Sequence, residues 1–176
     1  MINLMYIVLT AMLALNVSSD VLNGFSQVHE GLRRTNNNLR VKNRVQYQYL
    51  ADLYASYPQQ ARQAYAEGTR IHTQTDSLYN VMEGLKVLIA KHADGEKGDY
   101  TNLVNLDDLE ASSAVLLNPV SERGAHLRQG IDAYRRLILP FITDSTKRAA
   151  VAEVLSTAVQ NVPGIETAPT WQQQMF

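Results

Sequence analysis

The first nineteen residues, Met1 to Ser19, contain no charged side chain, whereas the remainder of the chain alternates apolar and polar positions with a helical period. At about 1.5 Å of rise per residue such a run is long enough to cross a hydrocarbon core roughly 30 Å thick, so a transmembrane helix is expected over residues 1–19. A signal peptide would place basic residues ahead of the run and a small-x-small site behind it. Nothing basic precedes Met1, and Asn16 breaks the candidate Ala14-Leu15-Asn16 site. A buried core helix of a soluble protein seldom needs so long an uncharged stretch.

Polar and small residues inside the run divide it into two stripes. At about 100° per residue, Asn3, Tyr6 and Thr10 share one stripe roughly 60° wide, and Ala11, Ala14 and Ser18 form a small-residue stripe beside it. Small residues at this spacing let helix backbones approach closely, so Ala11, Ala14 and Ser18 are read as a helix-dimer contact. Polar side chains in lipid seek hydrogen-bond partners on another helix, so Asn3, Tyr6 and Thr10 are read as facing a membrane partner.

The helical pattern continues beyond the span. Phe25, Val28, Leu32 and Leu39 keep helical spacing; then Val41, Val45, Tyr49, Leu53 and Tyr57 recur every four residues. No proline occurs before Pro58, so the anchor runs on into a long helix, with Gly24, Gly31 and Asn36 to Asn38 as the places for a bend or end. The change of apolar phase selects the asparagines. Pro58 marks a turn with Ser56 as a candidate cap. A second helix follows whose seam, Ala64, Gly68, Ile71, Thr75, Leu78, Met82, Leu85 and Ile89, alternates three- and four-residue steps as in bundle packing. Asp94 to Asp99 predicts a loop, Leu106 to Ala114 a short helix, and Val120 to Leu139 a helix ending at Pro140. Asp144 is the expected cap of a last helix, with Val151, Val154, Leu155 and Ala158 on its apolar face and Pro163-Gly164 closing it. The economical architecture is all-α: one transmembrane helix followed by an up-down helical bundle.

Composition narrows the chemistry. A formal net charge of −1 argues against a nucleic-acid binder, and the basic run Arg33, Arg34, Arg40, Lys42 and Arg44 lacks a reading motif, so it is taken as a solvated helix face. There is no cysteine, hence no disulfide, thiol nucleophile or thiolate metal site. His29, His72, His92 and His126 stand singly, without ligand spacing on one helix. The Asp94 to Asp99 loop departs from the calcium-loop pattern, and neither a phosphate cradle nor a Gly-x-Ser-x-Gly elbow is present. No enzyme, catalytic residue, metal or cofactor is expected.

The stretch MINLMYIVLTAMLALNVSSDVLNGF, Met1 to Phe25, closely resembles the start of the GldM (PorM) family of the bacterial gliding and type IX secretion machinery, and Thr170 to Phe176 also looks like that family. The resemblance implies a transmembrane helix at 1–19, a periplasmic helical bundle at 20–165, and at 166–176 the start of a linker to a further domain. It implies an inner-membrane protein with its N-terminus cytoplasmic and its bulk periplasmic. The basic run alone would place the large domain in the cytoplasm, but it begins about fourteen residues past the span, near the limit of the positive-inside rule.

Members of that family work as a homodimer inside a ring of a polytopic GldL or PorL partner driven by proton-motive force, and reach outer-membrane-associated components through further C-terminal domains. The resemblance therefore implies that this chain is the shaft of a motor. The span has no Asp, Glu, His, Lys or Arg, so the proton-carrying carboxylate is expected on the partner. The competing expectation is a single-span membrane-anchored helical-bundle sensor or adaptor. A sensor of that kind normally returns through the membrane, and Pro163 to Phe176 is too short and polar to do so.

Overall fold

The computed structural model describes the backbone of residues 2–106, 108, 110–161 and 170–176, and the side chains of these residues except 2–4, 7–20 and 22. Among the described residues all regular structure is helical, as a bundle requires. The elements are α1 (Ile2–Ser56), α2 (Pro58–Asp94), α3 (Ala111–Leu116), α4 (Arg123–Ile138), a 3-10 turn (Leu139–Phe141), α5 (Ser145–Val154) and α6 (Trp171–Met175). The chain divides into two compact units, Met1–Arg62 and Gln63–Phe176.

In the first unit, α1 runs without interruption through every position where a bend was expected. Gly24, Gly31 and the three asparagines are all helical, because each costs a helix about 1 kcal/mol or less and none removes a backbone donor as proline would. The helix stops at Tyr57, the residue before Pro58, where the proline ring disfavours the α conformation. Only this one residue separates α1 from α2, so Ser56 belongs to α1 rather than capping the next helix. The Tyr57 N–H donates to the Leu53 carbonyl at 2.8 Å, and the Tyr57 carbonyl accepts from Ala61 N at 3.0 Å. Pro58 takes the first helical position, where no N–H is needed.

The second unit is built on the α2 seam. Leu85 is buried together with Val115, Leu116 and Leu127, and Leu78, Ile89, Ile131 and Phe176 pack around them. At the start of the seam Ala64, and within it Met82, are more exposed than a core stripe requires. The α2 helix ends at Asp94 because Gly95 takes a left-handed φ of 81°. Gly98 lies so close to the Ala90 carbonyl that a Cβ there would collide with it. Asp94 accepts from Val104 N and Asn105 N, each at 2.8 Å, which folds the loop back over the end of α2.

Two helix starts fall later than the apolar pattern predicts, and both shifts come from side-chain oxygens holding the preceding turn. Asp108 Oδ1 accepts from Glu110 N and Ala111 N at 3.0 Å, so the short helix is Ala111–Leu116 instead of 106–114. Asn118 Oδ1 accepts from Val120 N at 2.9 Å, which leaves Val120 exposed in a turn and delays α4 to Arg123. Asp144 caps α5 as expected, accepting from Lys147 N at 3.0 Å. The helix ends at Val154, well before Pro163-Gly164, which lie outside the described residues; Val154 and Ala158, the latter beyond the helix, are exposed, and Val151 and Leu155 supply the half-buried side.

Polar pins tie α4 to its neighbours. The Thr157 hydroxyl, on a buried residue, donates to Asp132 Oδ1 at 2.6 Å. Arg135 Nε donates to the Ala152 carbonyl at 3.1 Å, and the Thr75 and Tyr134 hydroxyls meet at 3.2 Å. Residues 170–176 fold against α4: Trp171 is buried and stands edge-on to Phe176 with ring centroids 5.9 Å apart. This docking requires Gly124, since a Cβ there would sit 2.7 Å from the Leu116 carbonyl oxygen and 3.1 Å from Gln172 Cβ. Gly124→Ala should therefore destabilise the second unit by about 1–3 kcal/mol through overpacking. Gly84→Ala, on α2 with open space around it, should be neutral or stabilise by up to about 1 kcal/mol. Thermal unfolding of the two variants side by side measures the contrast.

Candidate functional site

The residues singled out in the span all belong to α1. Tyr6 is 68% exposed, next to Met5. Asn3, Thr10, Ala11, Ala14 and Ser18 lie outside the residues whose side chains are described. Among the described residues no helix is long and apolar enough to cross a membrane; most side chains of the uncharged run fall outside that set.

Beyond the run, α1 exposes an ordered apolar face. Val21, Phe25, Val28, Leu32 and Leu39 are 51%, 69%, 60%, 59% and 51% exposed, so the stripe is uncovered along its whole length. Their steps of four, three, four and seven are those of the a and d positions of a heptad, with Thr35 filling the one intervening core position. Lys42 takes the next core position and ends the apolar seam. The flanking e and g positions between Phe25 and Lys42 are His29, Gly31, Asn36 and Asn38, none of them Lys, Arg, Asp or Glu. Arg33, Arg34, Arg40 and Arg44 occupy the outer b, c and f positions, off the line of the apolar seam.

The basic run is exposed on α1, as expected of a solvated face. Its N-terminal end is knitted to one acid: Arg33 Nε and Arg34 Nε reach opposite oxygens of Glu30 at 2.8 and 2.9 Å. Hydrogen bonds from Arg33 and then Arg34 hold the Glu30 carboxyl at about 2, so this clasp stays charged through any near-neutral pH. Exposed pairs of this kind add little to stability and serve mainly to orient the arginines.

The remaining titratable groups support the fold. His29, His92 and His126 are exposed, and His72 Nδ1 lies 3.0 Å from Asp76 one turn away. Among the described residues no group of three or more His, Asp or Glu is placed to hold a metal. Asp99 accepts from the Thr101 N–H and hydroxyl, which lowers its pKa. Glu83 accepts from Lys86 Nζ and from the Tyr100 hydroxyl, both at 2.7 Å. The lysine and then the tyrosine bond lower the Glu83 pKa, and the same carboxylate raises that of Tyr100.

Sequence reasoning missed one cleft, of about 240 Å³, where the α3–α4 turn meets α6. Its wall includes Leu116, Pro119 and Glu122 on one side and Thr170, Gln172 and Gln173 on the other. Glu122 holds a left-handed φ of 46°, and Gln172 Oε1 is buried with no hydrogen-bond partner among the described residues. No periodicity signals a cleft whose two walls are about fifty residues apart in sequence.

An uncovered seam and a core stripe respond differently to polar substitution. Phe25→Ser and Leu32→Ser should each change the unfolding free energy of the dilute, detergent-solubilised chain by only about 0.5 kcal/mol, as for other exposed positions. Leu127→Ser, in the core of the second unit, should cost several times more, on the order of 3 kcal/mol. Denaturant titration of the three variants checks this.

No individual curated protein matches the chain significantly. The model of the GldM N-terminal domain matches it over residues 20–176, from the foot of the exposed seam through the docked Trp171 segment. The chain thus belongs to the GldM family, inner-membrane-associated subunits of the motor that serves gliding motility and type IX secretion.

Proposed function

We propose that this chain is the central shaft of a proton-motive-force-driven inner-membrane motor, acting as a homodimer inside a ring of GldL- or PorL-type subunits. In this reading residues 1–19 cross the bilayer once with the N-terminus cytoplasmic, and the up-down bundle lies in the periplasm. Residues 166–176 lead toward further domains that reach outer-membrane components. The role is mechanical and not enzymatic, with no cofactor.

The observation that carries this reading is the exposed seam of α1. Counted back along one continuous helix, the heptad that places Val21, Phe25 and Leu32 in its core also places Ala11, Ala14 and Ser18 there. One parallel pairing of two copies thus uses the small-residue stripe inside the membrane and the apolar seam outside it. In the same heptad count Asn3 and Thr10 fall at g and Tyr6 at c, on average about 90° from the core line, toward whatever surrounds the pair.

An ionisable group on the ring would meet this polar stripe. When charged it gains from a hydrogen bond to the Tyr6 hydroxyl; when protonated it tolerates an apolar neighbour. Two identical shaft helices cannot satisfy every subunit of a larger surrounding ring equally, so successive protonations favour successive orientations. Rotation follows from the mismatch, and α1 carries it outward.

Two measurements test the reading. Phe25→Cys and Leu32→Cys should give disulfide-linked dimers in membranes, whereas Arg33→Cys and Arg40→Cys, at outer positions, should not; equal cross-linking at all four sites sinks the pairing. Tyr6→Phe deletes one intramembrane hydrogen bond of about 1 kcal/mol, which should slow secretion roughly fivefold while dimer cross-linking persists. Unchanged secretion in that variant removes the hydroxyl from the mechanism.

A further inference from the structure

A second uncovered stripe runs along α1 beyond the end of the seam. Val41, Val45 and Tyr49 are 56%, 60% and 62% exposed and recur every four residues. On a straight helical wheel they average about 130° round from the Val21–Leu39 seam, and although Tyr49 returns to a d position of its heptad, Val45 and Tyr49 lie beyond Lys42, where the seam has ended. Cations surround them. Arg34 lies on the line of the stripe, and Lys42 and Arg44 flank it, about 60° to one side and about 100° to the other. Between Glu30 and Asp52 the sequence has five Arg or Lys and no acid.

We infer that this stripe is a docking surface for an acidic amphipathic helix of a different polypeptide. Its physical make-up is that of an interface: a small apolar and tyrosine centre bordered by long cationic side chains. The apolar centre asks for apolar side chains at helical spacing, and the cations ask for carboxylates on either side of them. A second copy docking stripe to stripe would set the same cations against each other, which is unfavourable. Lipid is out of reach. On the membrane-anchor reading, on which this one exclusion rests, Arg34 stands about fifteen residues or roughly 22 Å past Ser19, beyond the headgroup layer and more than a Debye length from it.

The Glu30 clasp fits the same purpose. By bonding Arg33 and Arg34 from one carboxylate, it holds their side chains along the helix surface and reduces the ordering cost when an acidic partner arrives.

The test uses the full chain in detergent or nanodiscs and a fluorescent synthetic helix of about 20 residues, rich in glutamate with leucine at a and d positions. Anisotropy should report binding that weakens strongly between about 50 and about 500 mM salt. Val45→Ser or Tyr49→Ser should weaken binding about tenfold, and Lys42→Glu with Arg44→Glu at least as much, with helix content by circular dichroism unchanged. A scrambled peptide of the same composition should bind far more weakly.

Equal binding of the scrambled peptide, or binding indifferent to Val45→Ser and Tyr49→Ser, overturns the inference. Peptide-free phosphatidylglycerol vesicles that bind the chain and lose it with the double charge reversal would assign the stripe to lipid instead. Loss of self-association in Val45→Ser would assign it to a second copy. Phe25→Cys cross-linking in the same samples reports on the shaft reading separately: it can fail while peptide binding follows the stripe, or persist while peptide binding does not.

Discussion

A helix of 55 residues whose apolar side chains face water over much of its length is the constraint that organises this protein. Water penalises exposed apolar surface in proportion to its area, and monomers seldom leave a contiguous patch of this kind uncovered. The α1 helix has no element among the described residues that buries Val21, Phe25, Val28 or Leu32. Its stability and its position are therefore matters for assembly. A helix that stays continuous without proline or a chain break is also suited to carry force along its axis, since each turn is held to the next by the same backbone bonds.

The second unit solves a different problem. Few of its residues are fully buried, with a cluster around Leu85, Val115, Leu116 and Leu127, and its helices are short apart from α2 and α4. Directional bonds compensate for a thin core. Thr157 to Asp132, Arg135 to the Ala152 carbonyl and Tyr100 to Glu83 each join segments distant in sequence through part-buried polar groups. Gly98 and Gly124 permit backbone approaches that any side chain would block.

Charge is distributed unevenly around α1. Arginines sit at outer heptad positions, uncharged residues border the seam, and Lys42 ends it. A cation on the seam's core line interrupts its apolar surface, and the other cations lie off that line. Family membership and the α1 geometry point the same way, toward a chain whose function lies in what surrounds it.

The sequence by itself determined the helical class, the two-stripe run at the N-terminus, the Pro58 turn, the Asp94 loop and the Asp144 cap, because periodicity, proline and capping oxygens act within a few residues. It also carried the family resemblance in Met1 to Phe25. Only the tertiary structure decided which apolar stripes are core and which are surface. Val41, Val45 and Tyr49 have the spacing of a buried face, as Leu78 and Leu85 do, yet they are exposed whereas the latter belong to or pack against the core cluster. Likewise the delayed starts of α3 and α4 depend on where Asp108 and Asn118 point, and the docking of Trp171 depends on space left by Gly124, a residue some fifty positions away. Periodicity reports that a side chain has an apolar side to offer; whether anything is there to accept it is set by long-range packing, which no local pattern encodes.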